Sequence, residues 1–381
     1  MKEAVFLQEV KEIQLLKNAL TLLDWDSSTG MPEKSSPFRG EVEGYLTGLY
    51  FERSIGPVIQ EALAYFETRP EELSELGKLV FEKVKEEYAL NKNVPAERMQ
   101  EYVKVLNQAH TDWLKARAAQ DFGLLEETLT KVVAFQKEFI PYWQKEEKTP
   151  YDVLLNQFEP GMTVEKLDQV FDQVKQGIQE IRTVLAEKGT PPRTDFLSRK
   201  MTKEQQRRFV IGVVEQLGYD FSKGRLDDTV HPFMTALNRN DARITTRWEE
   251  NNFSMATFGV IHEAGHGMYE QNFDPKFDFT PLSEGASMGI HESQSLFNEI
   301  IIGSNRAFWQ KQYPFFQECA EGTFDDIAFE DFYASLKETK ASLIRIDSDS
   351  LTYPLHIIIR YEIEKMLFNG SLEVADLPKV W

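Results

Sequence analysis

The sequence predicts a mainly α-helical fold with one small β element, organised as a single domain over residues 1–381. Three observations support this. Apolar residues recur at three- and four-residue steps through most of the chain, strand-like alternation is confined to one short run, and neither an internal repeat nor a linker divides the sequence. We therefore expect one large helical body with a deep cleft.

Two helices have clear boundaries. The N-terminal helix is indicated by apolar residues at helical spacing from Ile13 to Leu23, and SSTGMPEKSSP then interrupts it. A later helix is expected after Thr163, a good N-cap, with Gly189 just beyond its end. The apolar face of the later helix consists of Leu167, Val170, Phe171, Val174, Ile178, Ile181 and Leu185.

The predicted strand is ARITTRW, residues 242–248, where Ile244, Thr246 and Trp248 alternate with polar neighbours. If one edge of this strand faces a cleft, an extended peptide could pair with it.

Composition excludes several classes of function. Lys and Arg total 43 against 62 Asp and Glu, so a net charge of −19 argues against a nucleic acid partner. The single cysteine, Cys319, cannot form an internal disulfide, and no segment is typical of a signal peptide or a membrane span. We expect a cytoplasmic protein with no membrane association.

The segment VIHEAGHGMYEQ, residues 260–271, contains the pattern His-Glu-x-x-His. A helix capped by Ser254 would place His262 and His266 one turn apart on one face, where both imidazoles could bind one metal ion. In the zincin-type helix that carries this pattern, the intervening glutamate, here Glu263, takes a proton from metal-bound water. Two ordinary helix histidines are the alternative, so a third ligand is needed.

The third ligand cannot be the histidine of the extended pattern, because Tyr269 and Asn272 occupy the two positions that this pattern requires to be Gly and His. A downstream carboxylate is the other common solution. Glu292, on a helix predicted to begin near SEGAS, is our choice. Spacing leaves four rivals open: Glu270, Asp274, Asp278 and Glu284.

Four segments in order, HPFMTALNRNDARITTRW, HEAGH, HESQS and IRIDSD, resemble the motif set of the Taq-type zinc metallocarboxypeptidases. The similarity extends through WDSSTGMP, YDVLLNQFEPGMT and LGYDFSKGRLDDTVHPF, and so covers essentially the whole chain. The resemblance implies zinc, with cobalt as an alternative, bound by His262, His266 and Glu292. It further implies catalysis by Glu263, removal of C-terminal residues from peptides, and a homodimer.

The chain departs from the family pattern in two places. Ser348 stands where the family usually has alanine, which leaves Arg345 and Asp349 in place. Family members also continue for roughly a quarter of their length beyond this chain, and Asp376 followed by LPKVW resembles the start of a helix. We therefore expect a chain that is C-terminally truncated relative to the family, that binds zinc, and that has weak or no activity.

An exopeptidase needs a cation for the terminal carboxylate of its substrate, and a guanidinium can bind a carboxylate through two hydrogen bonds. Arg345 is the candidate, with an ion pair to Asp347 or Asp349 as the alternative.

Other residues are assigned roles near the reacting peptide. His231 is a candidate donor to the oxyanion. Asp241 and Arg243 are candidates for orienting site residues and for binding the substrate. His291 and Tyr353 are candidates for supporting the site, and Tyr353 also for binding the substrate, although a buried histidine and a core tyrosine are the ordinary interpretation. Two other functions remain open: an oligopeptidase that cleaves internally, and an inactive metal-binding homologue.

Overall fold

The computed structural model describes residues 1–345 and 348–381 and confirms a mainly α-helical chain with one small sheet. The strands are β1 (Leu226–Asp228), β2 (Met234–Asn238) and β3 (Asp241–Thr246). The helices, in chain order, are α1 (Glu3–Thr29), α2 (Ser36–Ser54), α3 (Pro57–Phe66), α4 (Glu75–Asn91), α5 (Ala96–Ala119), α6 (Gly123–Trp143), α7 (Pro150–Phe158), α8 (Val164–Lys188), α9 (Lys203–Leu217), α10 (Phe253–Gln271), α11 (Met288–Leu296), α12 (Arg306–Cys319), α13 (Phe329–Ser335), α14 (Tyr353–Phe368) and α15 (Leu377–Val380). None of the helices in the described part of the chain is long and apolar enough to span a bilayer.

The chain forms two compact units. The first unit comprises Met1–Glu86 and Pro191–Glu338, and the second comprises Glu87–Thr190 and Thr339–Trp381. The first unit contains the sheet and α10, the helix that carries both motif histidines. Whether residues 1–381 act as one catalytic domain stays a prediction.

The core of the first unit is rich in aromatic side chains. Phe253, Trp309, Phe316 and Phe332 are fully buried, and the Trp309 and Phe316 rings meet edge to face. Burying each such side chain stabilises the fold by roughly 1.5–3 kcal/mol. One side of α10 packs against this cluster, so the helix is held along its length by a rigid core.

The sheet confirms the predicted strand and places it in the centre. The order is β1-β3-β2, with β3 parallel to β1 and antiparallel to β2. Ile244 of β3 is in register with Leu226 on one side and with Met234 on the other. Because both edges of β3 are already paired, the idea that a peptide pairs with this strand is wrong.

The second unit has no strand among its described residues and contains α5 to α8, α14 and α15. Helix α8 begins as predicted, because the Thr163 hydroxyl accepts a hydrogen bond from the Lys166 N–H, and Gly189 follows its last residue. Its predicted apolar face is only partly covered. Ile178 is buried, whereas Val170 and Ile181 are each about half exposed.

Candidate metal centre

Helix α10 places the two motif histidines one turn apart, as predicted. The His262 and His266 ring centroids are 5.0 Å apart, and both side chains are mostly buried. The predicted N-cap is wrong, because the helix begins at Phe253 and Asn252 occupies the capping position. Ser254 therefore lies inside the first turn. The position of the histidines does not depend on this difference, since the helix continues through both.

Glycine 265 allows the next helix to approach the histidines closely. A Cβ atom at Gly265 would lie 2.7 Å from the Gln294 carbonyl oxygen and 2.7 Å from the Ser295 Cα. Both are backbone atoms of α11, which cannot yield without moving the helix. The side chain of Ser287 caps α11 by accepting a hydrogen bond from the Ile290 N–H, within the SEGAS segment where the start was predicted.

The close approach of α11 brings Glu292 to both imidazoles. Glu292 Oε2 lies 3.3 Å from His266 Nε2 and 3.6 Å from His262 Nε2. One donor atom from each of the three residues lies within 4.8 Å of the others, and no other such group of three or more occurs in the described part of the chain. Two imidazole nitrogens and one carboxylate oxygen form the donor set of catalytic zinc sites that leave a coordination position open. The residues present therefore fit a divalent ion.

The four rival carboxylates are engaged elsewhere. Asp278 forms an ion pair with Arg239, and Glu284 forms one with Lys17. Asp274 accepts a hydrogen bond from the Lys276 N–H at the start of a short helical turn. The fourth, Glu270, contacts His291 rather than either motif histidine. Among the five candidates, Glu292 alone has its carboxylate beside both motif histidines.

The histidines and carboxylates of this centre strongly affect one another's pKa values. Burial disfavours a charged His262, but hydrogen bonds with Glu292 and Glu299 outweigh it and raise the pKa of His262 to about 10. Hydrogen bonds from His262 and His266 hold the pKa of Glu292 well below its usual range. Without a metal, the carboxylates of Glu292 and Glu299 thus favour a charged His262. A divalent ion would displace the proton from the nitrogen that it binds, because metal ligands bind in their deprotonated forms.

The side chain of Glu263 differs from the other carboxylates nearby. It is buried, and no residue in the described part of the chain forms a hydrogen bond with its carboxyl group. Burial raises the pKa of Glu263 to about 7, with the charge of His262 opposing this shift and the carboxylates of Glu292 and Glu299 adding to it. A carboxyl group with a pKa near neutrality can both accept and release a proton.

The histidines also have partners on the sides of their rings away from Glu292. Glu299 Oε2 lies 2.7 Å from His262 Nδ1, and His291 Nδ1 lies 2.5 Å from His266 Nδ1. The other nitrogen of His291, Nε2, is 2.8 Å from Glu270 Oε1. The sequence interpretation included His291 but missed Glu299 entirely. Glu299 lies in a π-helical segment, Phe297–Ile302, that directly follows α11.

The remaining candidates of the first unit do not join the cluster of donor atoms. Arg243 donates two hydrogen bonds of 2.7 Å to Asp241, two residues away on the same strand. The Arg243 guanidinium also stacks 4.4 Å from the centre of the Trp25 ring. His231 is exposed and precedes β2. The substrate roles predicted for these residues stay predictions.

Two candidates lie in the second unit. Arg345 is exposed, and its Nη1 donates a 2.9 Å hydrogen bond to the Tyr353 hydroxyl. The alternative ion pair with Asp349 is not formed, because the Asp349 carboxylate accepts hydrogen bonds from the Leu351 and Thr352 N–H groups and from the Thr352 hydroxyl. The other proposed partner, Asp347, lies outside the described residues.

We expect Gly265→Ala to weaken zinc binding by at least about 10-fold, because the added methyl group forces α11 and Glu292 away from the histidines. Isothermal titration of the metal-free protein with zinc checks this. Gly177→Ala on α8 is the matched control, since a Cβ there meets no atom within 4 Å. Unchanged zinc affinity in Gly265→Ala would contradict the role given to this close approach.

Comparison with known proteins identifies the family. The family model described as carboxypeptidase Taq (M32) metallopeptidase matches residues 5–381. Carboxypeptidase 1 of Bacillus subtilis is 44% identical over 379 residues, which cover 100% of this chain and 75% of the relative. Thermostable carboxypeptidase 1 of Thermus thermophilus is 33% identical, over 97% of this chain and 74% of the relative.

Solved structures agree with the sequence comparisons. The crystal structure of BsuCP superposes with a TM-score of 0.93 at 44% identity, over 100% of this chain and 76% of that one. The M32 carboxypeptidase from Deinococcus radiodurans R1 gives 0.93 at 34% identity, over 98% of this chain and 75% of that one. The chain therefore spans about three quarters of the length of these relatives, and it belongs to the carboxypeptidase Taq (M32) family of metallopeptidases.

Proposed function

We propose that this metallocarboxypeptidase removes C-terminal residues from peptides at a zinc site formed by His262, His266 and Glu292, with Glu263 as general base. The single observation that supports this best is the convergence of the three donor atoms on α10 and α11. Glu263 follows His262 directly on α10 and is the one buried carboxyl group there without a hydrogen bond among the described residues.

The residues of this centre would divide the chemistry as follows. A bound divalent ion would polarise the scissile carbonyl and make a nearby water more acidic. Glu263 accepts a proton from the attacking water as the water oxygen bonds to the carbonyl carbon. Glu263 then delivers that proton to the amine as the carbon–nitrogen bond breaks, which returns the carboxylate to its initial state.

Recognition of a free C-terminus is assigned to Arg345. Among the described residues, its exposed guanidinium donates a hydrogen bond only to the Tyr353 hydroxyl, so further N–H donors are available to a substrate carboxylate. Asp241 and Arg243 are assigned to orienting the substrate, and His231 to donating to the oxyanion. Cytoplasmic location and a homodimer remain expectations of the sequence.

The experiment compares two peptides that differ only in having a free carboxylate or an amide at the C-terminus. Mass spectrometry identifies the products formed by the zinc-loaded chain. Release of the last residue from the free peptide alone supports the proposal. Equal internal cleavage of both peptides would support an oligopeptidase instead, and intact peptides beside bound zinc would support an inactive homologue.

We expect Arg345→Lys to lower kcat/KM for the free-carboxylate peptide by about 10- to 100-fold, because lysine keeps the charge but loses the paired hydrogen bonds. Hydrolysis of an amidated peptide, if measurable, should change much less. Arg182→Lys, an exposed arginine on α8, is the matched control and should behave like the unmodified chain. Equal losses on both substrates in Arg345→Lys would indicate a structural role.

A further inference from the structure

Each motif imidazole has one nitrogen directed toward Glu292 and one directed toward a different partner. For both rings the nitrogen near Glu292 is Nε2, at 3.6 Å for His262 and 3.3 Å for His266. The Nδ1 nitrogens contact Glu299 and His291, respectively. A neutral imidazole carries a proton on one nitrogen and a lone pair on the other, so the partner at Nδ1 decides whether Nε2 can bind a metal.

Glu299 determines which ring nitrogen of His262 carries a proton and which is available to a metal. An ionised carboxylate has no proton to donate, so the 2.7 Å contact between Glu299 Oε2 and His262 Nδ1 requires the proton to be on Nδ1. A divalent ion would then displace the other proton of His262, the one on Nε2, and bind the lone pair at that nitrogen. The π-helical segment Phe297–Ile302 follows α11 without a break, so the same stretch of chain supplies Glu292 to one nitrogen of His262 and Glu299 to the other.

For His266 the same result is reached through an intermediate ring. The Glu270 carboxylate can only accept a proton, so His291 Nε2 donates across the 2.8 Å contact between them. An imidazole that donates through Nε2 and carries no second proton has its lone pair on Nδ1. In that arrangement His266 Nδ1 donates across the 2.5 Å contact, which leaves the lone pair of His266 on Nε2.

Glu270 and His291 together form a relay to His266. The position of the His291 ring in this relay is fixed by packing as well as by hydrogen bonds. A Cβ atom at Gly285 would lie 2.5 Å from His291 Cδ2, so the ring lies directly against the glycine backbone. The Tyr269 ring meets His291 edge to face at 5.4 Å. Glu270 lies two turns of α10 beyond His262 and is buried, with 6% of its surface exposed. The ring of His291 therefore has little freedom to turn its nitrogens elsewhere.

We propose that Glu299 and the Glu270–His291 pair are positioning residues that hold a proton on Nδ1 of His262 and His266 and so reserve both Nε2 lone pairs for the metal. This inference rests on the proposed function, because it takes these two histidines as ligands. It adds that two separate carboxylates, one acting directly and one through an imidazole, set the proton positions.

The test uses the full chain labelled with ¹⁵N only at histidine. The chain has six histidines, few enough to assign by single substitutions. The ¹⁵N shifts of the zinc-loaded protein report which ring nitrogens carry a proton and which bind metal. We expect proton-bearing Nδ1 and metal-bound Nε2 on both motif histidines, and a proton on Nε2 but not on Nδ1 of His291.

Substitutions at Glu299 then separate positioning from a structural contact. Glu299→Leu removes the acceptor and should weaken zinc binding about 10- to 100-fold, measured by competition with a chelator. The exchange-protected Nδ1–H signal of His262 should disappear in this variant. Glu299→Gln keeps a neutral acceptor and should restore both the signal and most of the affinity. Glu284→Gln, whose carboxylate binds Lys17, is the control and should change neither.

The relay is tested by His291→Phe combined with Glu270→Met, so that no buried carboxylate is left unpaired. We expect a similar 10- to 100-fold loss of zinc affinity. The thermal unfolding midpoint shows whether this variant is folded. If it is not folded, Glu299→Leu and the ¹⁵N shifts of the unmodified protein still decide the proposal.

Failure of the proposed function and failure of this inference give different results. If zinc leaves the ring nitrogens of His262 and His266 unchanged, the metal site itself is wrong. If zinc binds through both Nε2 nitrogens but Glu299→Leu keeps the affinity and the Nδ1–H signal of the unmodified chain, the positioning role is wrong. A proton found on both nitrogens of His291 in the zinc-loaded protein would also overturn the relay.

Discussion

Replacing Glu263 with glutamine is expected to lower kcat/KM by about 10²- to 10⁴-fold while leaving zinc bound. Glutamine has nearly the shape of glutamate but cannot accept a proton from water at neutral pH. Because no residue in the described part of the chain bonds to the Glu263 carboxyl group, the substitution leaves no partner without a hydrogen bond. The Glu263→Gln variant should therefore keep its zinc while losing most of its catalytic activity.

The measurement pairs steady-state kinetics on a free-carboxylate peptide with zinc content determined on the same preparation. Glu318→Gln, an exposed position on α12, is the matched control and should retain both properties. Loss of zinc together with activity in Glu263→Gln would mean that this carboxylate supports the metal site rather than proton transfer. Retained activity would mean that another group is the base.

Replacing Glu292 with glutamine is expected to raise the dissociation constant for zinc by about 100- to 1,000-fold. Structural zinc sites with four ligands bind with about 10–16 kcal/mol, or roughly 2.5–4 kcal/mol per ligand. Glutamine keeps an oxygen in place but removes the negative charge, which faces both Nε2 nitrogens in the structure. Much of one ligand's contribution should therefore be lost.

Thermal unfolding with and without zinc measures this loss. At a free zinc concentration about 1,000 times the dissociation constant of the unmodified chain, binding stabilises that chain by about 4 kcal/mol. The Glu292→Gln variant should gain only about 0.4–1.4 kcal/mol under the same conditions. Glu284→Gln, one of the rival carboxylates, should keep the full gain. The reverse outcome would assign the third ligand to Glu284.

The parts of the site that depend on local helix geometry were predictable from the sequence. Positions four apart on one helix share a face, so His262 and His266 follow from the motif once α10 is a helix. Glu292 was favoured but not determined by the sequence. A loop of 16 residues, 272–287, separates α10 from α11, and spacing alone cannot give its path.

Other features depend on packing between elements, which the sequence pattern does not contain. The close approach at Gly265 involves backbone atoms of α11, so the motif alone does not show why a small residue is needed there. Glu299 was missed because it lies beyond α11 in a π-helical turn, where helical spacing no longer applies. Glu270 lies on the face of α10 shared by both histidines, and this spacing was a usable signal for it.

The sequence predicted the fold class correctly, but it did not predict which strands pair with β3 or which apolar residues on the helices are exposed. The strand predicted from alternation at residues 242–248 is found at Asp241–Thr246, but its central position depends on two partner strands that alternation does not identify. The apolar face of α8 suggested burial, yet Val170 is 52% exposed and Ile181 is 48% exposed. In α14, Ile358 is buried while Ile357 and Ile359 are exposed.

The measurement that tests the central claim most directly is a crystal structure of the zinc-loaded chain, with diffraction data collected on both sides of the zinc absorption edge. We predict one strong anomalous peak at about 2.0–2.2 Å from His262 Nε2, His266 Nε2 and a carboxylate oxygen of Glu292. A peak at another group of residues, or a peak at the histidines with Glu292 turned away, would contradict the proposed metal site.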